Sequence, residues 1–137
     1  LTIADVPSEH LTFGAWRLWR RLEGDPGLCC WSLQTIALTP RKRPLTTAYG
    51  ALAVLEVLEH LPDPLDTIRH LAEHLEPGGW LFEDFTPHAE VHAADLPQAQ
   101  KERPQVYAYL AEAFEFVDGR PWDAPDGGGI RIWRRRG

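Results

Sequence analysis

Three side chains able to do acid–base or metal chemistry fall within five residues: Glu56, Glu59 and His60, with separations of three and four from Glu56. If the backbone makes a helical turn there, that spacing brings all three to one face. Two carboxylates and an imidazole so placed can bind a divalent ion, and His88 or His92, from the stretch Thr86-Pro-His-Ala-Glu-Val-His92, can complete the set. The same residues also allow proton transfer. An imidazole titrates near neutral pH, so His60 can serve as a general base towards a substrate oxygen or nitrogen. A third reading leaves His60 as a residue that hydrogen-bonds locally at a helix start. Glu83 and Asp84 are a second acidic pair, candidates for the substrate side or simply exposed strand-end carboxylates. His70 and His74 lie one helical turn apart and are expected to face solvent.

The elements that must position these groups alternate. Leu1–Val6 reads as a short strand ending near Asp5, and Pro7-Ser8 supplies a turn and an N-cap. A helix is expected to run to about Leu22, with Leu11, Ala15, Leu18 and Leu22 as its apolar stripe and Phe13, Trp16 and Trp19 widening it into core or edge packing. Gly24, Pro26 and Gly27 break it, and Leu28–Leu38 is expected to be a strand. Tyr49–Val54 is a continuous apolar run, expected of a strand buried on both faces of a parallel sheet. Asp63 can cap the next helix and Pro64 opens it, with Leu65, Ile68, Leu71, Ala72 and Leu75 on one face and Gly78-Gly79 as its end. Trp80–Phe85 is then a strand, His88–Pro104 a surface excursion, Pro104–Ala113 a helix, and Phe114–Val117 and Ile130–Trp133 two closing strands. The pattern predicts an α/β sheet, parallel apart from a terminal antiparallel strand.

A chain of 137 residues, 44% hydrophobic and 25% charged, has the size and composition of one globular domain. It has no run near the ~20 apolar residues of a membrane span and no basic-then-apolar leader, so a soluble, cytoplasmic protein is expected. The formal charge of −6 argues against broad nucleic-acid binding, and the clusters Arg41-Lys42-Arg43 and Arg134-Arg135-Arg136 are read as solvated. Cys29 and Cys30 are adjacent, a poor geometry for a disulfide, and are read as buried strand thiols. There is no methionine, and the chain opens on a strand-like Leu-Thr-Ile-Ala, which suggests a boundary cut through a domain.

The segment Ala53-Val-Leu-Glu-Val-Leu-Glu-His-Leu-Pro-Asp-Pro64, then Leu75-Glu-Pro-Gly-Gly79 and a hydrophobic strand, resembles the class I S-adenosylmethionine-dependent methyltransferases. In that family an EVLEH-(L/V)-PDP pattern, a helix and L-(K/E)-PGG close the fourth strand and open the fifth. The resemblance covers the C-terminal two-thirds of such a domain. It implies a Rossmann-like methyltransferase sheet with its first strand missing, residues 1–137 forming a single, N-terminally incomplete domain. It makes Leu1–Asp5 the second strand and puts Asp5 where an acidic residue binds the cofactor's ribose hydroxyls; the competing reading is that Asp5 caps a turn. Glu56 would join Asp5 on the cofactor side, with His60 catalytic. A similar E-x-x-E-H arrangement binds metal in small-RNA 2′-O-methyltransferases, which makes Glu56, Glu59, His60 and His88 the alternative, metal-binding set.

Two departures weaken the transfer of function. The family's G-x-G-x-G loop, whose glycines let backbone approach the cofactor, has no counterpart here, and Tyr49 is followed by Gly50 where the family has Asp. The missing first strand is central in the family's sheet, so either the second strand pairs directly with the fourth or another polypeptide fills the gap. The expected function is methyl transfer from S-adenosylmethionine to a small-molecule O or N acceptor. The alternative is a non-catalytic methyltransferase-fold module acting in assembly or regulation. Cofactor binding by this chain alone is expected to be weak or absent. The expected partners are a small-molecule substrate, if the chain is active, and a homo-oligomer or partner chain at the strand gap.

Overall fold

The structure is a computed structural model that describes residues 2–5, 9–24, 34–37, 45–86, 95–123 and 128–137. The chain divides into two compact units, Leu1–Pro44 and Leu45–Gly137.

In the first unit β1 (Thr2–Asp5) and β2 (Gln34–Ala37) pair in parallel, Thr2 opposite Gln34 and Asp5 opposite Ala37. Between them in sequence runs α1 (Glu9–Gly24), which packs on both strands. Its stripe is narrower than expected. Leu11 is buried and Ala15 and Leu18 half-buried, whereas Phe13, Trp16 and Trp19 are 56%, 53% and 48% exposed. At about 100° per residue Phe13 and Trp16 point away from the Leu11–Leu18 side, and Trp19 lies at its border. Of the strand expected over Leu28–Leu38, the described part is β2. Cys29, Cys30 and the basic cluster at 41–43 lie outside the described residues.

The second unit is built on a four-stranded sheet of order β3-β4-β6-β5, comprising β3 (Tyr49–Val54), β4 (Leu75–Glu83), β5 (Phe114–Asp118) and β6 (Arg131–Arg135). β3 and β4 are parallel, and β6 runs antiparallel to both β4 and β5, as the sequence pattern predicts. Two helices, α2 (Pro64–Glu73) and α3 (Pro97–Ala113), pack on each other. Ile68 and Ala72 from α2, Leu75 and Leu81 from β4, and Val106 and Leu110 from α3 meet in one buried cluster. Each large aliphatic there contributes roughly 1.5–3 kcal/mol of burial free energy. Among the described residues no helix is long and apolar enough to cross a membrane.

Three expectations change. β3 is an edge strand of its sheet with Gly50, Ala51 and Ala53 exposed, not a strand buried on both faces. Gly78 and Gly79 lie inside β4, in an irregularity where the register jumps from Tyr49–Leu75 to Ala51–Trp80. Gly78 has φ of 76°, and a Cβ on Gly79 would lie 2.8 Å from the Glu76 carbonyl oxygen, so the pair lets β4 bulge while it stays paired in parallel with β3. Finally α3 begins at Pro97, with Pro104 in its interior. That proline removes one helix hydrogen bond, and burial of Ala99, Val106, Tyr107 and Leu110 offsets the loss.

Candidate active site at the carboxyl edge of the four-stranded sheet

Beyond Val54 the chain leaves β3 abruptly. Glu56 adopts φ of 54°, a left-handed conformation that costs a non-glycine residue roughly 1–3 kcal/mol unless its surroundings hold it. What holds it is Asp84, just past the end of β4, whose Oδ1 accepts the Glu56 N–H at 2.8 Å. Asp84 is buried, its carbonyl accepting the Thr86 hydroxyl at 2.7 Å. Burial holds its carboxyl above the usual range; the Glu56 amide opposes this, and the charges of Glu56 and Glu83 reinforce it.

A 3₁₀ turn follows over Leu58–His60, closed by His60 N–H to the Val57 carbonyl at 3.0 Å. Leu58 enters the core and carries Glu59 inward with it, to 2% exposure. Glu59 Oε2 has no hydrogen-bond partner among the described residues. Burial raises its pKa, opposed by a backbone hydrogen bond and by His60 and reinforced by Glu56 and Asp84. His60 stays partly exposed with carboxylates on both sides: Glu59 Oε1 is 4.0 Å from Nε2, and Asp95 Oδ1 is 3.6 Å from Nδ1. The Glu59 carbonyl accepts the Leu96 N–H at 2.8 Å, which ties the 3₁₀ turn to the start of α3 and sets Asp95 beside the imidazole.

Glu83, one residue before Asp84, faces a different environment and is fully buried. Five donors reach its carboxylate: Arg131 Nε at 2.7 Å and Nη2 at 3.3 Å, Trp133 Nε1 at 3.0 Å, the Phe85 N–H at 2.8 Å and Tyr107 Oη at 3.0 Å. The single Tyr107 proton is shared with the Phe85 carbonyl at 2.8 Å. Burial, then the Glu83 charge, raises the Tyr107 pKa, so the phenol stays a donor. Burial alone would lower the Arg131 pKa; hydrogen bonding to Glu83 and its charge reverse this, and the guanidinium stays charged. Trp122 stacks on Tyr107 at 5.0 Å, and Arg103 reaches the Phe85 and Trp122 carbonyls at 2.9 and 3.0 Å. Glu83 is therefore a structural carboxylate, neither an exposed strand end nor a substrate-side group.

The remaining sequence candidates are placed as follows. Asp5 ends β1, opposite Ala37; only its backbone is described. His88 and His92 lie outside the described residues. Of the expected trio, Glu59 and His60 meet at 4.0 Å, whereas Glu56 follows the left-handed turn and the three form no ion-sized group among the described residues. The one group among the described residues with ion-sized spacing is His70, Glu73 and His74. It sits at the opposite, amino end of the strands, where the Tyr49 N–H donates to the His74 carbonyl. His70 is buried, not solvent-facing, and its Nε2 accepts the Leu45 N–H at 3.2 Å, a bond that a metal at that nitrogen would displace. Sequence reasoning missed Asp95 and the Arg131–Tyr107–Trp133 cage. An arginine inside the apolar alternation Ile130-Arg-Ile-Trp133 was the available signal, since Arg131 and Trp133 share one strand face.

A sulfonium cofactor carries a cationic sulfur and ammonium together with an anionic carboxylate. Glu56, Glu59, Asp84 and Asp95 would suit the cationic part; burial first, and then the charges of neighbouring acids, raises the pKa of Glu59 and Asp84, and a cation would relieve the second of these. For the carboxylate end the sequence holds no spaced-glycine cradle. The parallel β3–β4 pair with its antiparallel closing strand is a Rossmann-like sheet of the kind found in solved methyltransferase structures. The family profile described as a methyltransferase domain matches residues 10–136, and the chain belongs to that family.

Individual relatives agree. Ubiquinone biosynthesis O-methyltransferase of Nitrosospira multiformis is 50% identical over 34 residues, 25% of this chain and 14% of that protein. The likeness thus spans about a seventh of the curated relative. N-methyltransferase NodS from Bradyrhizobium japonicum WM9, in complex with S-adenosyl-L-homocysteine, superimposes with a TM-score of 0.67 at 21% identity, covering 98% of this chain and 66% of that one. The [4+2]-cyclase SpnF superimposes with a TM-score of 0.62 at 15% identity, covering 98% and 66%. The fold thus extends to a protein whose name is not that of a methyltransferase.

Proposed function

We propose that this chain forms the acceptor side and part of the cofactor side of a methyl-transfer site that uses S-adenosylmethionine and acts on a small-molecule oxygen or nitrogen nucleophile. The observation that carries the reading is His60, held at the carboxyl edge between Glu59 and Asp95. Bound cofactor would supply an electrophilic methyl group. His60 would take the proton that the acceptor loses, and the flanking carboxylates would stabilise the imidazolium so formed. Glu56, fixed by Asp84, would face the cationic part of the cofactor. Alignment of nucleophile, methyl carbon and leaving sulfur supplies much of the rate in such a reaction, so His60 assists an already positioned acceptor. The relatives include both an O- and an N-methyltransferase, which supports methyl transfer to either atom.

The test is calorimetric titration of the chain with S-adenosylhomocysteine, alongside Glu56→Ala. Binding weaker than micromolar, weakened again by Glu56→Ala, is the expected result. Heat absent up to about 1 mM ligand, a ceiling near −4 kcal/mol, would favour a non-catalytic module instead.

A further inference from the structure

The outer side of α1 carries a seam that neither the sheet of its own unit nor the proposed chemistry uses. Glu9, Phe13, Trp16 and Arg20 follow one another at intervals of four, three and four, and all four are exposed. At about 100° per residue they fall within an arc of about 60°, opposite the Leu11–Ala15–Leu18 side that packs inward. Phe13 and Trp16 stack on each other at 5.7 Å, making one continuous apolar surface with Arg17 over the Phe13 ring at 5.8 Å. Two half-exposed aromatic side chains side by side on a helix that already has a buried face is the composition of an interface centre.

The seam reads acid, aromatic, aromatic, base, and this order is its own complement when reversed. A two-fold axis between Gly14 and Ala15 would set Phe13 against the partner's Trp16, Glu9 against the partner's Arg20 and Thr12 against the partner's Arg17. The geometry points to an antiparallel α1–α1 contact between two copies of this chain, with four aromatic rings at its centre and a Glu9–Arg20 ion pair at each end. A polyanion suits the same face less well. Glu9 and the exposed Glu23 offset Arg17 and Arg20, which leaves the face without the net positive charge that phosphates on a lipid surface or a nucleic-acid strand would need.

Sedimentation equilibrium of the full chain between about 1 and 100 µM reads the association directly. A monomer–dimer equilibrium is expected, lost on Trp16→Glu. Glu9→Arg and Arg20→Glu should each weaken it about tenfold, since each places like charges together at both ends of the contact. The double reversal Glu9→Arg/Arg20→Glu should restore it to near the starting value, a recovery that damaged folding cannot produce. A monomer at every concentration overturns the proposal, as does a dimer indifferent to Trp16→Glu. So does a double reversal that weakens association further. Retention of a monomeric chain on anionic phospholipid vesicles would assign the face to a membrane and overturn it as well.

Discussion

Glu83 and Asp84 are neighbours at the end of one strand and carry the same functional group, yet the fold treats them oppositely. Glu83 sits in a closed cage, with five donors on its two oxygens and no exposure. Asp84 accepts the amide of a left-handed residue and lies among other acids, and its carboxyl is held above the usual range. Alternation along a strand sends one side chain into the α3–β6 side of the sheet and its neighbour to the β3 exit. A saturated carboxylate fixes β4, β6 and α3 relative to one another. An acid raised by burial and crowded by other acids would be relieved by a cation, the role proposed for this edge. The carboxyl edge thus has a rigid half and a receptive half, one peptide bond apart.

The sharpest way to break the rigid half is Arg131→Met. It leaves the Glu83 carboxylate buried without its cation, and the expected loss is about 3–5 kcal/mol in denaturant unfolding. The double variant Glu83→Gln/Arg131→Met should recover a large part of this, because removing both charges removes the uncompensated one. A loss from Arg131→Met below about 1 kcal/mol, within the range of surface ion pairs, would show that the cage is not what holds the strands. Tyr107→Phe is the milder cut. It deletes the hydroxyl shared by Glu83 and the Phe85 carbonyl while keeping the ring stacked on Trp122, at an expected cost of about 1–2 kcal/mol.

The two halves were not equally legible. The β3–α2–β4 succession and the antiparallel closing strand follow from apolar runs, Pro64 after a capping-type residue and strand alternation, all local signals. The start of α3 did not follow, because Pro104 looks like a first helical residue when nothing shows the buried contacts that tolerate it inside a helix. His60 was picked out by its chemistry and Glu59 by its spacing from it, and the two do meet. Helical spacing also put Glu56 on that face, and a positive φ at Glu56 is invisible in the sequence because a non-glycine residue gives no warning of it. Asp95 reaches His60 across a gap of 35 residues, and Arg131 reaches Glu83 across 48. Such pairs are created by topology, which composition and periodicity do not encode.

On the receptive half, Glu59→Gln tests whether a buried charge is being tolerated for use. The folded-state pKa of Glu59 lies above its unfolded value. As pH rises through the ordinary carboxylate range the unfolded state gives up its proton first, so stability from this group is fully present at low pH and falls until pH exceeds the folded pKa. Asp84 acts with the same sign. Glu59→Gln should therefore raise stability by about 1 kcal/mol at pH 7 and flatten the decline between about pH 4 and pH 7. Urea midpoints measured across that interval read both effects. A variant less stable than the parent at neutral pH would place Glu59 with Glu83 among the structural carboxylates.

The smallest effect expected is also the one that separates fold from function most cleanly. Glu56→Gly replaces a side chain at φ of 54° with the one residue that adopts this region freely, so the folded state loses strain. The unfolded chain gains freedom, which offsets part of that gain, and the net change should be a stabilisation of about 0.5–1 kcal/mol. The Glu56 N–H remains, so the hydrogen bond to Asp84 can persist and the turn keeps its path. What is lost is the carboxylate alone. A variant more stable than its parent but poorer in binding S-adenosylhomocysteine would show that glutamate is kept at a strained position for its charge. Equal binding with added stability would instead make Glu56 an incidental occupant of the turn, and would leave Asp84, Glu59 and His60 as the groups that define the receptive half.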